Sequence, residues 1–246
     1  MTAARNSKPE AHGHQHEVRG HHHRDVSGGW LRPAVFGAMD GLVTNVSLIS
    51  GVGGGGAQPH FVILTGLAGL AAGACSMAAG EYVSVSSQNE LVGSEVYKEK
   101  LELENNPDAE QRELAATFRA RGVDAAVARE VAAQISRNPD HALSVHVREE
   151  LGVDPQDLPS PVTAAGASLV SFSIGALVPL FPYLVGASYL VLALGLAALA
   201  AIIGGGAVSR LTGRPFVQGA ARQLILGAVA AAITFGIGHL VGGAMG

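Results

Sequence analysis

Ala34-Val-Phe-Gly-Ala-Met-Asp-Gly-Leu-Val-Thr-Asn-Val-Ser-Leu-Ile-Ser-Gly51 is the stretch on which the reading of this chain turns. It is apolar enough to cross a bilayer as a helix, yet Asp40 sits inside it. A carboxylate at hydrocarbon depth costs several kcal/mol, by an amount that depends on how far water reaches it, and packing alone does not explain it. A cation, a proton or a water-filled path has to compensate for it.

Working outward, the charge of the chain is segregated. Of 246 residues, 48% are hydrophobic and 15% charged, too apolar for an ordinary soluble domain of this length. Pro33 to Gly80 holds one formally charged side chain, Asp40, and Pro159 to Ser209 holds none. Between Glu81 and Asp157 the chain turns polar and rich in Glu and Arg. This pattern describes an integral membrane protein with a polar insert. The formal net charge of -4 carries no information about nucleic acid, which is not expected as a partner, and the single cysteine, Cys75, rules out an intrachain disulfide. No cleavable signal peptide is visible, so the first membrane helix is expected to act as its own insertion signal.

About 20 apolar residues cross a bilayer as a helix. By that measure five spans are expected, at about 33–53, 60–84, 160–181, 184–208 and 218–242. Gly53 to Pro59 breaks the first pair, Pro179 and Pro182 break the third span from the fourth, and Arg210 to Pro215 separates the last two. Small residues spaced by four (Gly37/Gly41, Gly69/Gly73, Gly238/Gly242) permit close helix contacts without specifying which helices meet. Lys and Arg lie in the N-terminal tail, the insert and the Arg210–Arg222 connection. Five spans put these regions on one side, so the tail and insert are expected in the cytosol and the C-terminus outside.

The second span has no proline from His60 to Asn106, so it is expected to continue out of the membrane as one helix. Three short helices follow. Asp108 is expected to cap the first, with Gln111 three residues on, and Gly122 to end it. Asp124 caps the second, with Val127, Val131 and Ile135 as its buried stripe. Asp140 caps the third, with Leu143, Val147 and Leu151 buried and Gly152 as its stop.

Several groups could carry chemistry. Gly73, Met77 and Glu81 share one face of the second helix; Met77 is a soft thioether and Glu81 a carboxylate, and with Asp40 they suit a divalent transition metal. Met77 alone would also serve as ordinary apolar filler. Glu95, Glu99 and Glu102 recur at helical spacing and are followed by Glu110 and Glu113. They form either a solvated face, partly offset by Lys98 and Lys100, or a cation site that turns their repulsion into coordination. His146 and Glu150, four apart, could complete such a site, with Glu149 as second choice. His12, His14, His16, His21, His22 and His23 in the tail are either a polar arm or a loose metal-collecting one. His239 is an isolated polar residue, suited equally to hydrogen bonding and to proton handling. Arg210, Arg214 and Arg222 read as topology anchors. A phosphate loop, a Gly-x-Ser-x-Gly elbow, a helical zinc His pair and a Glu-x-x-His di-iron motif are all lacking.

Phe36-Gly-Ala-Met-Asp-Gly-Leu-Val-Thr44, Gly73-Ala-Cys-Ser-Met-Ala-Ala-Gly-Glu-Tyr-Val-Ser84, Ser87-Gln-Asn-Glu90 and Arg148-Glu-Glu-Leu-Gly152 occur in that order around a helical insert. In this combination the chain resembles the vacuolar iron transporter family, over almost everything after the His-rich tail. The resemblance implies a homodimer of five-span subunits exchanging cytosolic Fe²⁺ for protons. It further implies that Asp40 and Met77 line the translocation site, with Glu81 near its cytosolic entrance, and that Glu99, Glu102, Glu110, Glu113 and Glu150 are ligands in the insert. Where the family commonly has a Met-Met pair before Arg-Glu-Glu-Leu-Gly, this chain has His146-Val147. Val147 lies on the core stripe, so His146 is expected to substitute as a ligand.

The expected protein is therefore all-α, with five transmembrane helices and a cytosolic helical metal-binding insert between the second and third. A disordered His-rich tail (1–30) precedes helices one and two (31–86), the insert (87–158) and helices three to five (159–246). It is expected to move Fe²⁺ out of the cytosol, with Mn²⁺, Zn²⁺ or Co²⁺ as further bound metals, and to be neither an enzyme nor the holder of a resident cofactor. A membrane-anchored metal sensor or buffer is the alternative function. Composition leans toward a bacterial plasma membrane over a vacuolar one.

Overall fold

The computed structural model describes residues 29–245; the histidines of the N-terminal tail lie outside them. The described residues form eight helices: α1 (Leu31–Gly54), α2 (Pro59–Asn105), α3 (Pro107–Ala120), α4 (Ala125–Ile135), α5 (Pro139–Glu150), α6 (Pro161–Leu184), α7 (Leu190–Leu211) and α8 (Phe216–Met245). Five of them, α1, α2, α6, α7 and α8, are long and apolar enough to cross a membrane. Their outward faces carry Leu64, Val191, Ile225, Val229, Ile233 and Leu240, all more than half exposed in the isolated chain. Aliphatic surface of that extent is stable only against hydrocarbon.

α1 is the centre of the bundle, packed mainly on α6 and α8 and also on α2 and α7. Glycines allow this. A methyl group on Gly41 would run into the backbone carbonyl of Phe172 in α6, and one on Gly238 into the carbonyl of Gly51. Asn45 reinforces the α1–α6 crossing, its Nδ2 donating to the Ala176 carbonyl at 2.6 Å. The spacing-four pairs are thus assigned to partners: Gly37 and Gly41 to α6, Gly69 to Leu48, Gly73 to the Phe172 ring, and Gly238 and Gly242 to Gly51 and Gly55. Gly41→Ala is expected to destabilise the bundle by about 1–3 kcal/mol, the usual cost of overpacking. Thermal melts in detergent would show it, with Gly195→Ala, which meets nothing within 4 Å, unchanged.

The long helix is continuous, as expected. α2 has 47 residues, roughly 70 Å at 1.5 Å per residue, against a hydrocarbon core of about 30 Å. Its distal half leaves the bundle and carries α3, α4 and α5. Asn89 ties it back at the base, its Nδ2 donating to the Pro159 carbonyl at 3.0 Å just before α6.

Several local expectations are corrected. Pro179 and Pro182 lie inside α6, which continues to Leu184; the break falls at Gly186, whose φ of +84° ends the helix. A proline removes only its own donor, and the flanking turns of α6 stay packed through buried Leu180 and Tyr183. The start of α3 is Pro107, after Asn106, and the cap of α5 is Asn138, which accepts from His141 N; Asp108 and Asp140 instead lie in the first turns of these helices. In both helices Pro takes the first helical position, which moves the cap one residue upstream of it. Asp124 does cap α4, accepting from Ala126 N. The buried stripe of α4 is Ala128 and Ala132; of the expected stripe, Ile135 packs against the Leu114 cluster, while Val127 and Val131 are exposed. The small residues face inward because α3 approaches closely there. Val147 of α5 is fully buried, but Leu151, just past its end, is exposed.

Candidate metal centre

The long-helix glutamates, α3 and α5 converge on one point. One ligand atom each from Glu99 (α2), Glu110 (α3), His146 and Glu150 (α5) lies within 4.8 Å of the others. His146 is at the centre: its Nδ1 is 3.1 Å from Glu99 Oε1, 3.4 Å from Glu150 Oε1 and 3.8 Å from Glu110 Oε2. Its side chain is 1% exposed, while Nε2 is buried without a hydrogen-bond partner.

Local structure explains the convergence. Glu110 sits in the first turn of α3, directed inward beside buried Leu114. His146 and Glu150 are one turn apart on α5, which leans on α2. Val147 fills the core next to His146, so the helix presents its imidazole, not an aliphatic chain, to the carboxylates.

The site is overloaded with negative charge. Burial, reinforced by Glu150, Glu110 and Glu113, pushes the Glu99 carboxyl up from 4.5 to about 7. Burial likewise raises Glu110, with Glu113 adding to it and His146 opposing it. Between pH 4.5 and 7 the folded chain therefore holds a proton on Glu99 that the unfolded chain has released, so stability falls as pH rises through this window. Metal coordination needs the deprotonated carboxylate and strengthens over the same range. The metal-free protein is expected to melt lower at pH 7.5 than at pH 5.5, with a divalent cation reversing the order. Below pH 7 its metal affinity should fall about tenfold per pH unit for each proton displaced. Thermal melts across this range with and without Mn²⁺ check both, and Glu99→Gln should flatten the metal-free profile.

Three carboxylates and one imidazole form a hard-to-borderline donor set, suited to divalent first-row ions and poorly suited to Cu(I). Two of the sequence-predicted ligands stand one step outside it. Glu113 is exposed and near enough to raise both Glu99 and Glu110. Glu102 accepts from Asn106 Nδ2 at 3.1 Å and contributes to the field at Glu110. Glu149, the second choice beside Glu150, is turned away into an ion pair with Arg121. Glu95 pairs with Lys98.

Within the bundle, Asp40 is half-buried and accepts from Thr44 Oγ1 at 3.4 Å. Met77 packs with Ala74 and Leu70 on Phe172 and Ala176 of α6, and Phe172 also lies against Gly37 and Gly41 of α1. The Gly73–Met77 face therefore meets α6, and among the described residues no hydrogen bond or ion pair joins Asp40 to Glu81. Asn45 escaped the sequence reading. It is 1% exposed with Oδ1 unpartnered, and an Asn one and a half turns from an intramembrane Asp was the available signal.

Five apolar helices with an acidic cluster on an extended one define a multi-pass helical membrane protein with a metal-site candidate outside its bundle. The chain belongs to the VIT family, whose profile matches residues 31–239. It is 38% identical over 233 residues to a vacuolar iron transporter of Acanthamoeba castellanii, covering 91% of this chain and 84% of that one. Vacuolar iron transporter 1 of Oryza sativa subsp. japonica is 31% identical, covering 95% and 93%. Vacuolar iron transporter homolog 1 of Arabidopsis thaliana is 36% identical, covering 87% and 84%.

Proposed function

We propose that this protein is a proton-coupled transporter of Fe²⁺, moving it out of the cytosol. The observation that carries the reading is the Glu99–Glu110–His146–Glu150 cluster, built on the same helix that enters the membrane. The names of the relatives supply iron as the cargo. Lys and Arg at the insert end of the bundle support a cytosolic insert. Metal gathered there would pass along α2 to the level of Asp40, where an intramembrane carboxylate can take up either cation or proton. Glu81 lies on α2 between the two levels. A homodimer is part of this reading: Asp40 is only half-buried and has Thr44 as its hydrogen-bond partner among the described residues, and a second copy of α1 and α2 would provide the other wall of a pathway.

The test is Fe²⁺ flux into liposomes holding the full chain, with and without an imposed proton gradient, together with the accompanying pH change. Gradient-dependent uptake with opposite proton movement is expected. Metal binding without flux under either condition would instead identify a membrane-anchored sensor or buffer. Replacing Fe²⁺ with Mn²⁺ in the same assay reports selectivity.

A further inference from the structure

Along one side of the bundle, α1, α7 and α8 leave a cleft between them. At the insert end it is a cavity of about 390 Å³ bordered by Arg32, Arg222 and Gln223, with Phe36, Met39 and Gly205 below them. Both arginines are exposed, and neither has a carboxylate or hydrogen-bond partner among the described residues. One turn deeper, the same three helices line a second, half-open cavity of about 520 Å³, bordered by Leu42, Val46, Ala197, Ala201 and Ala231 among others. Met39, packed against Gly204, sits at the junction.

The deeper cavity is nearly all carbon. Its Ser50 hydroxyl is already spent, donating to the Val46 carbonyl at 2.6 Å. Water there would find few partners along an almost wholly apolar lining. Hydrocarbon is the filler that a bilayer supplies. Arg32 and Leu42 are ten residues apart on α1, roughly 15 Å along the axis, which is about the depth of one leaflet. A headgroup held at the arginines therefore brings an acyl chain to the apolar cavity.

We propose that this cleft binds an anionic phospholipid, its phosphate held by Arg32, Arg222 and Gln223 and one acyl chain lying between α1, α7 and α8. Two guanidiniums with no carboxylate partner among the described residues favour a headgroup carrying net negative charge over one whose amine cancels it, and the planar fork matches phosphate oxygens. The site is independent of the transport reading.

The full chain is extracted from vesicles of equal phosphatidylglycerol and phosphatidylcholine, and the retained lipid is quantified by mass spectrometry. Phosphatidylglycerol is expected to be enriched by up to about thirtyfold over the input ratio, from two arginines at the membrane surface. The double variant Arg32→Gln/Arg222→Gln should return the ratio close to input, while Arg32→Lys/Arg222→Lys keeps most of the enrichment and shows that the bundle tolerates change there. Arg210→Gln, at the same end of the bundle but outside the cleft, should retain it fully. Wild-type retention at the input ratio overturns the proposal, as does an equal loss in Arg210→Gln, which would mean general surface attraction. Equal thermal stabilisation by inorganic phosphate and by phosphatidylglycerol would also overturn it, in favour of a free-anion site.

Discussion

His146→Ala is expected to weaken divalent metal binding by the full chain at least about thirtyfold, near 2 kcal/mol at 1.4 kcal/mol per factor of ten. His146 is the one nitrogen in the cluster and the residue all three carboxylates face. Removing it takes a ligand from the middle of the site and leaves Glu99, Glu110 and Glu150 with their mutual repulsion unrelieved; burial, with that repulsion added, already holds a proton on Glu99 to about pH 7. Isothermal titration with Mn²⁺ at pH 7.5 measures the loss; affinity within threefold of wild type would remove His146 from the ligand set. Glu149→Gln is the matched control, because its carboxylate is engaged by Arg121, and its affinity should stay within about twofold of wild type. His146→Met exchanges a borderline nitrogen for a soft sulfur, so it should lower Mn²⁺ affinity more than Fe²⁺ affinity.

On the proposed mechanism, Asp40→Ala should lower gradient-driven Fe²⁺ flux by at least about tenfold while leaving metal binding by the insert unchanged. Asp40 lies nine residues into α1, roughly 14 Å along the helix, close to the middle of a ~30 Å core. A Thr44 hydroxyl at 3.4 Å is its one hydrogen-bond partner, and no cationic side chain pairs with it among the described residues. Such a carboxylate costs stability, so the alanine variant is expected to melt no lower than wild type. A protein that keeps its stability and loses its flux places Asp40 in the pathway; undiminished flux would relieve it of that role. Asp40→Asn, equal in size and unable to ionise, separates the charge from the space it fills.

Much of this was readable in the chain. Five apolar runs and an uninterrupted α2 follow from composition and from the position of proline, both local properties. The candidate ligands were readable as a set because carboxylates and an imidazole at helical spacing are a chemical pattern whatever their surroundings. Which members of that set converge was not readable. Glu149 and Glu150 are neighbours in sequence, and only the packing of α5 on α2 and α3 turns one to the cluster and the other to Arg121. The face of α4 was misread for a related reason: period alone cannot distinguish its Val stripe from its Ala stripe, and the nearness of α3 selects the smaller one.

By itself, then, the sequence determined the five spans, the continuous helix that carries the insert, and the donor chemistry, because hydropathy, backbone continuity and ligand type belong to single segments. Tertiary structure alone decided that Phe172 packs on Gly37 and Gly41 of α1 and on Gly73 of α2, that the glycine pairs meet α6 and α1, and that four ligand atoms share one point. Those depend on how helices rotate and cross, which is set by close packing between residues far apart in the chain.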